Sequence, residues 1–308
     1  MNLRSIIEEN RLFGNLELTA NQIVEGFISG IHKSPFHGFS SEFAEHKNYN
    51  PGESTKHIDW KLYAKTDKLY TKKYDDETNL RCHFIIDNSS SMHYPVLKKQ
   101  NLDQYNKYGF SAIATASLIQ LLKKQRDAAG LSLINNQEYI YHEEKGSKKH
   151  FSQIINTLDL QTTTENSKKR ANLKKTINLL CERLKKRSMV ILFSDFLNPI
   201  EENDEIFEAL QQMKFKKHEI VIFQVFDFDK ELDFNFDNKP SKFIDIETNQ
   251  EIDLYPENGS ANYQKQIQNL IANTKDRCNQ LKINYNLIDI NKKFHTIINE
   301  FLISKQKF

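Results

Sequence analysis

The sequence predicts an α/β protein, an open and mostly parallel sheet with helices on both faces. Three observations predict it. From about residue 81 onward, short apolar runs alternate with segments of helical periodicity. The runs Phe84-Ile85-Ile86, Val190-Ile191-Leu192-Phe193 and Val221-Ile222-Phe223-Gln224-Val225-Phe226 show no regular polar alternation, which is how strands buried on both faces read. An aspartate closes each run, at Asp87, Asp195 and Asp227. In a parallel sheet this puts three carboxylates on one edge, the edge where ligands bind.

The elements follow in order. Residues 103–126 read as a helix, with Phe110, Ile113, Ala114, Ser117 and Leu121 recurring at three- and four-residue steps. Gly130 opens a strand over 131–134, and 139–142 pairs with it as a hairpin. Helices are predicted over 151–158 and 173–184. The second ends in Lys185-Lys186-Arg187, charges that suit a helix C-terminus. A strand over 189–193, a helix over 206–213, a strand over 219–226, a helix over 263–281, a strand over 285–288 and a helix over 294–302 complete the pattern.

The stretch 231–254 breaks this rhythm. Its Phe and Asp residues alternate, and alternating phenylalanines need an apolar surface. It is predicted to be a β-hairpin insertion attached to the sheet or to the N-terminal segment. Residues 1–80 form that segment. It carries Gly26, Gly30, Gly38 and Gly52 among the chain's nine glycines. It is expected to be β-rich and packed on the domain over 81–308, with strands at 42–47 and 68–74. Trp60, the only tryptophan, reads as its core anchor.

Composition narrows the function. The chain has 308 residues, a formal charge of +2 and 27% charged residues, so it suits one large soluble domain or two smaller ones. That charge gives no strong pull toward nucleic acid or anionic membrane. Cys82, Cys181 and Cys278 are far apart and form no Cys-x-x-Cys, which argues against a disulfide framework and a thiolate zinc site. Cys82 and Cys181 read as small core residues. No apolar run is long enough to span a bilayer, and residues 1–10 lack the apolar core of a signal peptide, so the expected address is the cytoplasm. A P-loop motif is absent, and so is a Gly-x-Ser-x-Gly elbow that would support Ser89 or Ser91 as a nucleophile with His93. An aspartyl phosphatase would want a second acid two residues after Asp87, where Ser89 stands.

The triplet Asp87-x-Ser89-x-Ser91 sets one carboxylate and two hydroxyls within a single turn. Such all-oxygen donors suit a hard divalent cation. On spacing alone, a turn or helix cap accounts for them equally well.

The triplet after one buried strand, with Asp195 after another, resembles the metal-ion-dependent adhesion site of von Willebrand factor type A domains. The wider chain resembles one branch of them, the bacterial family of unknown function numbered 58. Similar to that family are Gly38-x-x-Ser41-Glu42-Phe43-Ala44-Glu45, Tyr49-x-Pro51-Gly52-Glu53, His57-Ile58-Asp59-Trp60-x-x-Tyr63-Ala64-Lys65-Thr66 and Phe243-Ile244-Asp245-Ile246-Glu247-Thr248. The resemblance implies a von Willebrand factor A-like fold and a metal site made by Asp87, Ser89, Ser91 and Asp195. Mg2+ is the implied ion, with Mn2+ or Ca2+ as alternatives, and a partner's carboxylate completes its shell. It implies binding and no catalysis: an adaptor for a MoxR-type AAA+ ATPase and a further protein target. The family's Thr-Asp-Leu before the second metal-site strand reads Ala171-Asn172-Leu173 here, which implies weak metal binding. Asn172 offers an amide oxygen instead, and Thr162, Thr163 and Thr164 lie upstream. The competing reading is a metal-dependent hydrolase using Asp87 and Asp195, although no general base is evident beside them.

Overall fold

The computed structural model describes residues 16–31, 45–48, 60–73, 80–97, 104–134, 139–161, 172–185, 187–245, 250–292 and 294–306. In chain order the elements are α1 (Leu16–Ile31), β1 (Glu45–Asn48), α2 (Trp60–Thr66), β2 (Tyr70–Lys73), β3 (Arg81–Asp87), α3 (Lys107–Lys124), β4 (Ala128–Ile134), β5 (Tyr139–Lys145), α4 (Lys148–Gln161), α5 (Leu173–Arg183), β6 (Met189–Ser194), α6 (Ile200–Phe215), β7 (Glu219–Phe226), β8 (Ser241–Ile244), β9 (Glu251–Leu254), α7 (Pro256–Gln280), β10 (Asn284–Asp289) and α8 (His295–Gln306).

Six strands form the main sheet in the order β10-β7-β6-β3-β4-β5. All neighbours are parallel except β4 and β5, which pair as the predicted hairpin. The expected α/β architecture therefore holds, and its strand order is that of a doubly wound sheet. The chain leaves β3 toward β4 and β5 on one side, then returns through β6 to build β7 and β10 on the other. The order reverses between β3 and β6.

The central strands are apolar on both faces because both faces are covered. On one face Ile85, Val190, Leu192, Ile220 and Ile222 pack with Leu173, Ile177 and Leu180 of α5 and with Ile206, Leu210 and Met213 of α6. On the other, α3 packs against β3 and β4. Every residue of α3 from Lys107 to Leu122 is buried, which explains why its sequence is apolar or small nearly all round. Cys82, Cys181 and Cys278 are buried and form no disulfide with one another.

Contacts divide the chain into residues 28–79 and the remainder. The start of α1 belongs with the larger unit, where Glu17 accepts from Lys123 Nζ at 3.0 Å. Within 28–79, β1 and β2 pair antiparallel, from Glu45 opposite Lys73 to Asn48 opposite Tyr70. Among the described residues of this segment, the short helix α2 lies between the two strands in chain order. Trp60 corrects the expectation of a core anchor. It opens α2 with 61% of its surface exposed and meets Tyr63 of the same short helix edge-on. Glu42, His57, Asp59 and most of the motif residues between 38 and 59 lie outside the described residues.

The insertion also differs from its prediction. Only β8 and β9 form a hairpin, as a separate two-stranded sheet. Residues Phe228–Leu232 instead make a π-helical turn directly after β7. The phenylalanines pack on one another and on α7: Phe234 lies 5.5 Å from Phe243, 5.0 Å from Phe236 and 4.9 Å from Tyr263, between ring centroids. Their apolar surface is thus supplied by one another and by Tyr263 of helix α7. Among the described residues no helix is long and apolar enough to cross a membrane.

Candidate functional site

Asp87 ends β3, and Ser194 and Asp195 end β6 on the adjacent strand, at the carboxyl edge where the strand order reverses. Crevices form at such switch points because the loops on either side run apart. The chain turns sharply after Asp87. Ser89 N–H donates to Asp87 Oδ1 at 2.9 Å, an Asx turn, and Ser91–His93 continue as one turn of 3-10 helix. The turn brings Ser89 Oγ within 3.1 Å of Ser91 Oγ. Ser194 Oγ donates to Asp87 Oδ2 at 2.7 Å. A second Asx turn follows β6, where Leu197 N–H donates to Asp195 Oδ1 at 3.0 Å.

The four sequence-singled residues therefore share one edge. Two further residues join them that sequence reasoning did not single out. Lys107, fully buried at the first position of α3, donates from Nζ to Asp195 Oδ2 at 2.8 Å and to Glu231 Oε1 at 2.6 Å. Glu231 comes from the π-helical turn, where its Oε2 accepts from Asp227 N–H at 2.8 Å. The Lys107 ammonium also lies 5.6 Å from the centre of the Phe226 ring. One signal in the sequence marks Lys107. Asn106 caps α3 by accepting from Gly109 N–H at 2.7 Å, and a lysine in the first turn of a helix sits at the wrong end of the macrodipole. Such a lysine needs an anionic partner elsewhere.

The electrostatics follow from burial. Asp87 is buried, and burial together with repulsion from Asp195 pushes its carboxyl up to about 6, against the hydrogen bonds from Ser194 and Ser89. Burial also raises Glu231, less the pull of Lys107. Burial works against the charge of Lys107, yet Asp195 and Glu231 outweigh it and hold the ammonium above its ordinary range.

His93 is committed elsewhere. Its Nε2 lies 2.8 Å from Asn88 Oδ1, and its ring stacks on Tyr108 at 5.1 Å. It forms no pair with Ser89 or Ser91 among the described contacts. Asn172 caps α5 by accepting from Lys175 N–H at 2.9 Å. Ala171 and residues 162–164 lie outside the described residues. Asp227 caps its own turn and accepts from Asn291 Nδ2 at 3.0 Å.

The donor set can be tested against a divalent ion. Ser89 and Ser91 converge, and Asp87 is a buried carboxylate that carries no cationic partner among its described hydrogen bonds. Asp195 is different: one oxygen holds a backbone N–H and the other an ammonium. Among the described residues, no three His, Cys, Asp or Glu side chains are grouped to hold an ion. The four residues do not fit a divalent ion as one set, because both Asp195 oxygens are already occupied, one by a backbone N–H and one by the Lys107 ammonium.

Beside this edge runs a cleft of about 520 Å³, bounded by Ser91, Tyr94, Glu231, Phe236, Ile252 and Tyr263 among others. Ile244 and Ile252 on the hairpin are more than half exposed.

Comparison with known proteins gives relatives that carry no assigned activity. An uncharacterized protein of Mycobacterium tuberculosis is 24% identical over 202 residues, covering 64% of this chain and 61% of that protein. The chain thus spans about three fifths of the length of that relative. The uncharacterized protein YeaD of Bacillus subtilis is 27% identical over 135 residues, 44% of this chain and 30% of that one. Among solved structures, the conserved hypothetical protein BatB from Bacteroides thetaiotaomicron is similar, with a TM-score of 0.44 and 12% identity over 74% of this chain and 99% of that one. The SpRpn10 VWA domain has a TM-score of 0.41 and 12% identity, over 72% and 95%. The profile of one family, described as protein of unknown function DUF58, matches residues 45–273, and the chain belongs to that family.

Proposed function

We propose that this chain is a protein-binding module, an adaptor that presents the carboxyl edge of its sheet to a MoxR-type AAA+ ATPase and a second protein target, and that it is not an enzyme. The observation that carries the reading is the cleft beside Ser91. It joins a polar edge to an aromatic wall of Phe234, Phe236, Phe243 and Tyr263, with apolar Ile244 and Ile252 left open to solvent. Exposed apolar side chains rimming a polar site mark protein contact surfaces. The partner, on this reading, inserts an apolar side chain between the hairpin and the loop after β3. His93, close to the serines in sequence, is held by Asn88 and Tyr108 and takes no part as a base on this reading. The Mg2+ implied by the family resemblance does not enter this reading, because Asp195 already holds the Lys107 ammonium and a backbone N–H.

Purified MoxR-type ATPase titrated against the wild type and against Phe236→Asp and Ile252→Asp tests the reading. Both substitutions should weaken binding about tenfold or more, since central apolar anchors dominate interfaces. Circular dichroism should show the fold unchanged. Wild-type affinity in both variants would remove the cleft from the interface. Turnover of phosphoesters with Mn2+, lost in Asp87→Ala, would instead establish the hydrolase reading.

A further inference from the structure

We propose that Lys107 takes the place of a divalent cation at Asp195, so that this edge is assembled and binds its partner without metal. The inference deepens the protein-binding reading above and rests on it only for the partner. Three elements meet at one ammonium: the N-terminus of α3, the end of β6 through Asp195 and the turn after β7 through Glu231. A divalent ion at a protein site does the same work, drawing carboxylates from separate loops to one point. The ammonium has three N–H donors. Two are spent on the carboxylates, and the ring of Phe226 lies beside the group.

The position itself argues for an internal role. A lysine on a surface helix keeps its charge in water and lays only its stem on the protein. Lys107 is 0% exposed. It also stands at the helix end that repels cations. Such a placement is costly unless the charge is needed inside, and Asp195 and Glu231 are the anions that need it. An ion approaching Asp195 would have to displace an ammonium held at 2.8 Å while shedding its own water, which Mg2+ does reluctantly. Glu231 ties the arrangement to the cleft, because it both binds Lys107 and lines that cleft. The internal cation thus fixes the base of the aromatic wall relative to the serine loop.

Metal titration of the full chain decides the matter. Wild-type protein should bind no stoichiometric Mn2+ by electron paramagnetic resonance or calorimetry. Its thermal midpoint should be the same in chelator and in millimolar Mg2+ or Mn2+. Lys107→Ala uncovers Asp195 and Glu231, so in chelator its midpoint should fall by about 10 °C, the cost of an uncompensated buried charge in a domain of this size. Mn2+ should restore most of the loss, with one ion bound. Should Lys107→Ala not fold, the triple variant Lys107→Met, Asp195→Asn, Glu231→Gln provides a neutral cluster that should fold and ignore metal. Stoichiometric Mn2+ binding by the wild type, abolished in Asp195→Asn, would overturn the proposal. A Lys107→Ala protein that is as stable as wild type in chelator and binds no ion would overturn it equally. ATPase binding by the wild type should survive chelator, and binding that collapses in chelator tells against it. No ATPase binding under any condition would count against the protein-binding reading alone, with the metal titration still deciding the role of Lys107.

Discussion

His218 is a group that the structure buries and the proposed function does not use. It is 2% exposed, and its Nδ1 accepts from Ser188 N–H at 3.2 Å just before β6 begins. Burial, aided by nearby Lys216, holds its pKa below the ordinary 6.5. Half-buried His142 is shifted the same way, by burial and then by His150 and His83. The sign follows from linkage. In the unfolded chain these imidazoles take up protons below about 6.5, while in the folded chain they do so only at lower pH. The unfolded state then binds more protons, so stability is lost as pH falls from about 6.5. Each such group contributes a slope of at most about 1.4 kcal/mol per pH unit. His218→Asn keeps an acceptor for Ser188 N–H and cannot titrate. Denaturant titrations between neutral and acid pH should show a shallower loss in this variant, and an unchanged slope would mean that His218 is already charged in the folded protein.

Among the elements, β3, β4 and β5 approach so closely that a single methyl group matters. Gly130 lies inside β4, where the register with β5 shifts between Ala129 and Leu131. A Cβ there would stand 2.6 Å from His83 Nδ1, 2.8 Å from His142 O and 2.9 Å from Glu144 Oε1. Those atoms belong to a buried network: His83 Nδ1 bonds Glu144 Oε1, and His83 Nε2 lies 2.8 Å from Ser132 Oγ. Gly130→Ala should therefore cost about 1–3 kcal/mol, the range for overpacking a core, and thermal or denaturant melting reads it. A neutral result would mean that the hairpin edge yields freely. The sequence places Gly130 at the mouth of the strand, whereas two more strand residues, Ala128 and Ala129, precede it. Their small side chains lack the β-branched signature that marks strands. The same limit explains the insertion. Alternating phenylalanines pointed to strands, but Phe234 packs on Tyr263 of a helix that follows, and Phe236 packs on Phe234 and Phe243. Periodicity reports an apolar face and not the partner that covers it. The short helix α2 escaped because seven residues carry too little periodicity to read.

At the scale of the whole molecule, the open, mostly parallel sheet was legible because each central strand is buried on both faces and ends in a polar turn. The pairing of Asp87 with Ser194, and of Lys107 with Asp195 and Glu231, was not. Lys107 is 88 residues from one partner and 124 from the other, and nothing local records such a distance. Only the misplaced charge at a helix start hints at it. The topology also ranks the parts by stability. Cys82–Asp87, Met189–Ser194 and Ile220–Phe226 are buried without a break and bonded to a parallel neighbour on each side. Their amides are freed only when the sheet as a whole opens. The β8–β9 hairpin has four residues a strand and, among the described residues, no third strand, and its Ile244 and Ile252 are more than half exposed. A two-stranded sheet of that length is marginal in isolation, and among the described residues the rings of Phe234, Phe236 and Phe243, with Phe234 on Tyr263, pack it toward α7. Hydrogen exchange should therefore protect β3, β6 and β7 to the level of global unfolding and expose the hairpin amides through local opening, several kcal/mol lower on the ~5–15 kcal/mol scale of domain stability. Hairpin amides should slow when the adaptor's partner fills the cleft, since that partner would cover the same apolar face. Hairpin protection equal to that of β6 in the free protein would show instead that the wall of the cleft is part of the rigid core.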